Sequence, residues 1–230
     1  MIAKFYKYQG TGNDFVILDN RNRKYNNLNV AQIQLLCDRR FGIGADGLML
    51  LNLIDSYDFE MKYYNADGRE SSMCGNGGRC LVQFAYDMGM QKPSYSFIAI
   101  DGPHEANFED NGWVRLKMKD VKGLSSSAGD TVLDTGSPHF VKLVEDVKNY
   151  NVVDEGKQIR YSDEFSPGGL NVNFVQLEDD RIVVRTYERG VEDETLSCGT
   201  GVTACALVCG QTNDGFNRVA IETLGGHLAV

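Results

Sequence analysis

The chain has 230 residues, 42% hydrophobic and 24% charged, with 4 prolines and a raised glycine count of 25. Such a composition fits a soluble globular protein of one large domain or two of about 100 residues, and disorder over most of the chain is not expected. A formal charge of -9, from 23 Lys+Arg against 32 Asp+Glu, and the lack of a dense basic cluster argue against nucleic acid and anionic membranes as partners. The opening segment MIAKFYKYQGTGNDFV lacks the apolar core of a signal peptide, and no apolar run approaches a membrane span, so a cytoplasmic location is expected.

In chain order, FVILD (15–19) reads as a strand. In YDFEMKYYN (57–65), Phe59, Met61 and Tyr63 alternate with Glu60, Lys62 and Tyr64, the period of a half-buried strand. The polar turn NADGRESS follows, then Cys74 with GNGGRC, and then LVQFAYDMGM, where Leu81, Phe84, Ala85 and Met88 fall at helical spacing. The segment 96–118 reads as hairpins. KGLSSSAGD (122–130) has the small, polar make-up of a domain connection, which places a boundary near residue 120 and gives halves 1–120 and 121–230.

The second half repeats the plan of the first. FVKLVED (140–146) and FVQLED (174–179) are strand-like, RIVVRTYE (181–188) is a β-branched strand, RGVEDET is a polar loop, and GVTACALVCG is an apolar helix stopped by Gly210. Cys198 in LSCGTG therefore mirrors Cys74 in MCGNGG, and the parallel spacing favours an internal duplication. With hairpins prominent and no regular strand–helix alternation, the expected class is α+β, in two pseudo-symmetric domains.

Cysteines stand at 37, 74, 80, 198, 205 and 209. Without an export signal a disulfide framework is not expected. The absence of CxxC and the scatter of His104, His139 and His227 give no metal site. Cys37, Cys80, Cys205 and Cys209 are assigned to the core.

Cys74 and Cys198 differ from these because each opens a helix, where N–H groups lack partners and the dipole is positive. That setting favours thiolate and can also hold a carboxylate. Two thiols, one per half, on opposite sides of one carbon would invert a stereocentre, since a single rigid base returns the proton to the face it left.

These residues carry a resemblance. The chain is similar to the diaminopimelate epimerase family over essentially its whole length, through KYQGTGNDFVILD (7–19), RRFGIGADGL (39–48), YYNADGRESSMCGNGGRC (63–80), GLNVNFV (169–175) and YERGVEDETLSCGTG (187–201). The resemblance implies two pseudo-symmetric α/β domains, each a central helix partly wrapped by mixed and antiparallel strands, with the active site in the interdomain cleft. It implies interconversion of LL- and meso-2,6-diaminopimelate, for lysine and peptidoglycan precursors, without pyridoxal phosphate, metal or any other cofactor.

Carried over by position, Cys74 and Cys198 match the acid/base pair, with His139 and Glu188 in support. Asn13, Asn65, Asn171, Glu188 and Arg189 match substrate-binding positions, and the backbone at Gly75–Asn76 and Gly199–Thr200 matches two anion cradles. The expected partner is a small molecule; oligomeric state is open, a homodimer included. Without the resemblance, the asparagines would read as turn residues, Glu188–Arg189 as exposed charge at a strand end, and His139 as a solvated or hydrogen-bonded loop histidine.

Three departures stand out. Ser137 replaces the asparagine of a Gly-Asn-Pro-His motif, Gly47 stands where some members have glutamine, and the chain ends at Val230, short of a further strand and returning segment, so that an unpaired sheet edge is expected. Two alternatives remain at this point: a proline or hydroxyproline racemase-like enzyme, and a non-catalytic thiol redox or metal-binding module.

Overall fold

A computed structural model describes residues 3–127, 129–210 and 215–230. The chain divides into two compact units, Met1–Lys117 and Met118–Val230.

The first unit contains β1 (Tyr6–Gly10), β2 (Asn13–Asp19), α1 (Val30–Cys37), β3 (Gly47–Asn52), β4 (Phe59–Asn65), β5 (Glu70–Ser71), α2 (Gly75–Asp87), β6 (Ser94–Ala99), β7 (Gly102–Phe108) and β8 (Val114–Leu116). They form one mixed sheet of order β1-β2-β3-β4-β6-β7-β8, with β5 paired to β4.

Strands β2 and β3 are parallel and covered on both faces, which explains their nearly continuous apolar runs. Alternation sorts their side chains. Phe15, Ile17, Met49 and Leu51 pack with Leu81, Phe84 and Ala85 of α2, whereas Val16, Leu18, Leu48 and Leu50 pack with Ile33 and Cys37 of α1. The sheet continues around α2, so that Phe59, Met61, Tyr95, Phe97 and Leu116 join the same cluster. The rings of Tyr6 and Tyr8 lie against Phe84, with centroids 4.9 and 5.8 Å away. Thus α2 is a central helix partly wrapped by strands.

The second unit contains β9 (Leu124–Ser127), β10 (Asp130–Asp134), β11 (Pro138–Leu143), α3 (Val152–Arg160), β12 (Asn171–Leu177), β13 (Ile182–Glu188), β14 (Asp193–Thr195), α4 (Gly199–Cys209), β15 (Ala220–Thr223) and β16 (Gly226–Ala229). Its sheet has the order β16-β15-β13-β12-β11-β10-β9, with β14 paired to β13. Val202, Ala204, Cys205 and Ala206 of α4 meet Val141, Val175, Val184 and Ile221 on one face, while Val152 of α3 meets Phe140, Val172, Phe174 and Tyr187 on the other.

The two units share one plan. The pairs β1/β2 and β10/β11 are antiparallel, β2/β3 and β11/β12 parallel, β3/β4 and β12/β13 antiparallel, β4/β6 and β13/β15 parallel, and β6/β7 and β15/β16 antiparallel. Crossover helices α1 and α3 fall between the parallel pairs, as do α2 and α4. This α+β architecture in two pseudo-symmetric units is the expected class.

Several local expectations change. Within the presumed connection KGLSSSAGD, residues 124–127 form the edge strand β9, paired with β10, because backbone pairing at an edge makes little demand on side chains; Ala128 lies outside the described residues. His139 sits inside β11 and not in a loop, since it pairs in register with Asn171. Asn13, Asn65 and Asn171 occupy strand ends. Helix α1 carries a signal that the hydrophobic pattern hides, a capping box in which Asn29 accepts from the Gln32 backbone and Gln32 from that of Asn29.

Phe84 is fully buried at the centre of the first unit. Phe84→Ala is expected to destabilise the protein by about 3–5 kcal/mol in denaturant unfolding, a loss under ~1 kcal/mol contradicting the assigned central packing of α2.

Candidate active site

Cys74 is the N-cap of α2 and Cys198 the N-cap of α4, each with extended backbone (φ -92°, ψ 131° and φ -118°, ψ 114°) and neither making a side-chain capping bond. Each cysteine therefore directly precedes the first-turn N–H groups of Gly75–Asn76 and Gly199–Thr200.

These helix ends come down close on the sheet. A methyl group added at Gly77 would lie 3.3 Å from Met49 Sδ and 3.5 Å from Phe15 Cζ, and one at Gly201 would lie 2.5 Å from Asn173 Oδ1. Each glycine follows its cysteine by three positions; at Gly201 a side chain would have to displace Asn173, and at Gly77 it would be tight against Met49.

In the first unit, Asn13 Nδ2 donates to Asp46 Oδ2 at 2.6 Å. A carboxylate can only accept, so the amide has one orientation and Oδ1 faces Cys74 Sγ at 3.6 Å, which makes the thiol the donor. Arg39 holds the acidic side of this arrangement, forking Asp14 at 2.7 and 3.0 Å and reaching Asp46 at 2.7 Å. Burial alone would push the Asp14 carboxyl up, but Arg39 and Lys7 together hold it well below the usual range.

Asn76 is buried, and its Oδ1 accepts from Arg79 Nη2 at 2.5 Å and from Thr11 Oγ1 at 3.3 Å. Burial pulls the Arg79 guanidinium down, while nearby Cys74 and Cys80 act in the opposite direction. Asn65 stands apart at the exposed end of β4, its side chain without a hydrogen bond to the other described residues.

In the second unit, His139 is fully buried, with Nε2 2.9 Å from Thr200 Oγ1, which lies 3.4 Å from Cys198 Sγ. Its Nδ1 meets Asn173 Nδ2 at 3.1 Å. Burial lowers His139 from an ordinary 6.5 to about 4, so the ring is neutral at physiological pH.

Beside it, Asn171 donates to Ser137 Oγ at 2.9 Å and Pro138 O at 3.2 Å, and accepts from the Arg189 backbone N–H at 2.9 Å. Asn171 thus braces Ser137 and Arg189. The exposed Arg189 guanidinium donates to Gly169 O at 3.2 Å and retains further donors. Glu188 accepts from Thr195 Oγ1 at 2.8 Å; burial pushes its carboxyl up and this hydrogen bond works against the rise.

The structure thus joins Asn13 with Cys74, joins His139 and Thr200 with Cys198, and clusters Asn171, Ser137 and Arg189. At Gly47 a side chain would meet Tyr63 and Tyr64 O within 2.6 Å, so that position is filled by its neighbours. Residues the sequence reading passed over are Asp46, which orients Asn13, and Asn173, which orients His139. The second had a signal, an asparagine two positions after Asn171 and flanked by the apolar Val172, Phe174 and Val175 of the same strand. Cys37, Cys80 and Cys205 are buried and Cys209 half-buried. No helix among the described residues is long and apolar enough to cross a membrane, and no group of three or more His, Cys, Asp or Glu among them could hold a metal ion.

Comparison with known proteins gives a consistent set of relatives. The sequence model of the family described as Diaminopimelate epimerase matches residues 5–123 and 131–230. The protein named diaminopimelate epimerase from Flavobacterium psychrophilum is 52% identical over 231 residues, covering 99% of this chain and 90% of the relative. Its counterpart from Chlorobaculum tepidum is 43% identical, covering 93% and 87%.

Among solved structures, a PhzF-family phenazine biosynthesis protein of Bacillus anthracis superposes with TM-score 0.70 at 14% identity, covering 99% of this chain and 89% of that one. A hydroxyproline epimerase from Agrobacterium vitis superposes with TM-score 0.65 at 15% identity, covering 98% and 82%. At such identities the likeness is one of fold alone.

The lowered His139 value, about 4 against 6.5, means that the unfolded chain takes up this proton first. Its contribution is complete above pH 6.5 and is lost as pH falls towards 4, about 3 kcal/mol in all. His139→Gln is expected to flatten the fall in unfolding free energy across that interval, and parallel declines for both proteins would contradict the buried neutral assignment.

Proposed function

The chain belongs to the diaminopimelate epimerase family, and on that footing we propose that it interconverts LL- and meso-2,6-diaminopimelate by proton transfer between two cysteines, without pyridoxal phosphate. The observation that carries this reading is the equivalence of Cys74 and Cys198, each the N-cap of the corresponding helix in two like-built units.

The α C–H bond of an amino acid is a weak acid. Removing its proton at neutral pH requires a thiolate as base and stabilisation of the charge that develops on the carboxylate. One sulfur removes the proton and the other, as thiol, returns one to the opposite face. Backbone N–H groups at Gly75–Asn76 and Gly199–Thr200 are suited to the carboxylate because helix starts combine aligned donors with the positive end of the dipole.

Specificity for a substrate charged at both ends is assigned to Arg189, Glu188, Asn65 and Asn13. Arg189 pairs with the distal carboxylate, and Glu188 accepts from an ammonium. Among the described residues nothing engages the Asn65 side chain, which leaves its donors and acceptor for the same polar groups. Asn171, fully engaged with Ser137, Pro138 and Arg189, is assigned to holding Arg189 in place. Ser137, where family members carry asparagine, offers a shorter contact at the same place.

A reaction of this kind supplies a lysine and peptidoglycan precursor, and six free thiols suit the reducing cytoplasm. A second reading, racemisation of proline or hydroxyproline, has the shared fold in its favour, but such a substrate has no second charged end for Arg189 and Glu188.

Cys74→Ala and Cys198→Ala are each expected to reduce inversion of LL-diaminopimelate by at least ~1000-fold while leaving the fold intact. Near-normal turnover in either variant would overturn the two-thiol reading. Turnover of proline by the unaltered protein, with none of diaminopimelate, would favour the second.

A further inference from the structure

The two units share a plan, yet the material beneath their cysteines differs. The register that pairs Phe15 with Gly47 and Gly47 with Asn65 recurs as His139 with Asn171 and, one residue further along, Val172 with Tyr187. By that register His139, Asn173 and Thr186 occupy the places of Phe15, Met49 and Tyr63. The glycine contacts agree, since Gly77 approaches Phe15 and Met49 where Gly201 approaches His139 and Asn173. An apolar floor under one helix start has become a polar chain under the other.

The polarity of that chain is set at its far end. Asn173 Nδ2 donates to Phe140 O at 3.0 Å, a carbonyl that can only accept, and Asn173 Oδ1 accepts from Thr186 Oγ1 at 2.9 Å. The amide then has one orientation, and its second N–H points at His139 Nδ1. That nitrogen accepts, so the neutral ring carries its proton on Nε2 and donates to Thr200 Oγ1. The proton of the Thr200 hydroxyl is left with Cys198 Sγ, 3.4 Å away, as its acceptor among the described residues. In the first unit the polarity is opposite, because Cys74 donates to Asn13 Oδ1.

We propose that Thr200 is a further catalytic residue, whose hydroxyl, aimed by the positioning residues His139 and Asn173, donates to the Cys198 sulfur and makes it the sulfur ionised at rest. This assignment rests on the two-thiol reading and deepens it, giving Cys198 the role of resting base and Cys74 that of resting acid. When Cys198 ionises its proton passes to water, while Thr200 and His139 keep theirs. Further groups that act on the chain include Asp134 on β10 and Arg189 beyond β13, which oppose one another at His139, and Cys205 within α4. In the first unit Arg79 acts on Cys74 through space, its own hydrogen bond going to Asn76.

Thiolate ultraviolet absorbance titrated over about pH 5 to 9 tests the proposal without substrate. Burial pushes Cys37 and Cys209 up to about 11, Cys80 to about 12 and Cys205 well above its ordinary value, so these four stay silent in that window. In Cys74→Ser protein the signal is that of Cys198, and in Cys198→Ser protein that of Cys74. Cys198 is expected to titrate below Cys74. In the Cys74→Ser background, Thr200→Val is expected to raise the Cys198 midpoint by about one unit, a tenfold loss of thiolate on the acid side, and Thr200→Ser to restore it. Asn173→Asp, which can only accept towards His139, is expected to raise the midpoint similarly.

A Cys198 midpoint above that of Cys74, or one unmoved by Thr200→Val, would overturn the proposal. A midpoint moved by Thr200→Val but not by Asn173→Asp would remove His139 and Asn173 from it. A failed titration with epimerisation intact strikes only this inference. A titration as expected in a protein that leaves diaminopimelate unchanged strikes the proposed function instead.

Discussion

Two helix starts come down close on two sheets, and the packing beneath them and the setting of both cysteines follow from that approach. Cys74 and Cys198 cap α2 and α4 without a capping side-chain bond, and Gly77 and Gly201 let those helices settle on Phe15 and Met49 or on His139 and Asn173. A side chain at Gly201 would push against Asn173 Oδ1, and with it the polar chain that reaches the sulfur. The cysteine and the glycine three positions on are thus one device. The glycine brings the helix down, and the descent places the thiol beside both the first-turn N–H groups and whatever the sheet offers.

What the sheet offers is where the two units part. Apolar Phe15, Met49 and Tyr63 continue the core below α2, whereas His139, Asn173 and Thr186 satisfy one another below α4 and end on Thr200. A buried polar chain of this kind is retained only when every member has a partner, since an unpaired group in the interior costs about 1–3 kcal/mol. The two units are equivalent frames, and three corresponding inward-facing positions give them different chemistry. Around Cys74 the polar work is done from the side, by Asp46, which Arg39 holds and which orients Asn13.

Much of this frame was legible in the amino-acid order. The alternation in 57–65 became β4, whose Phe59, Met61 and Tyr63 face α2, and the β-branched run in 181–188 became β13, which α4 covers on one face and α3 on the other, so each pattern records its strand's burial directly. Gly210 does cap α4. What escaped was structure whose cause is distant in sequence. Nothing local to Ser125 or Ser126 announces that their backbone pairs with β10. The bonds from Asn171 to Ser137 and Pro138 join residues 34 and 33 positions apart, which the motif around Asn171 does not announce. The role of Asn173 requires the alignment of β11, β12 and β13 together, which no single segment encodes.

In the proposed reaction an α proton leaves to one sulfur and returns from another on the opposite face. The most direct measurement is incubation of the protein with LL-diaminopimelate in heavy water, following deuterium at the α carbons and the configuration of the product. The inverted centre is expected to carry solvent deuterium, because the returning hydrogen comes from a thiol equilibrated with solvent and not from the proton removed. Product of inverted configuration that keeps its original α hydrogen, or no exchange at the α carbon at all, would contradict it.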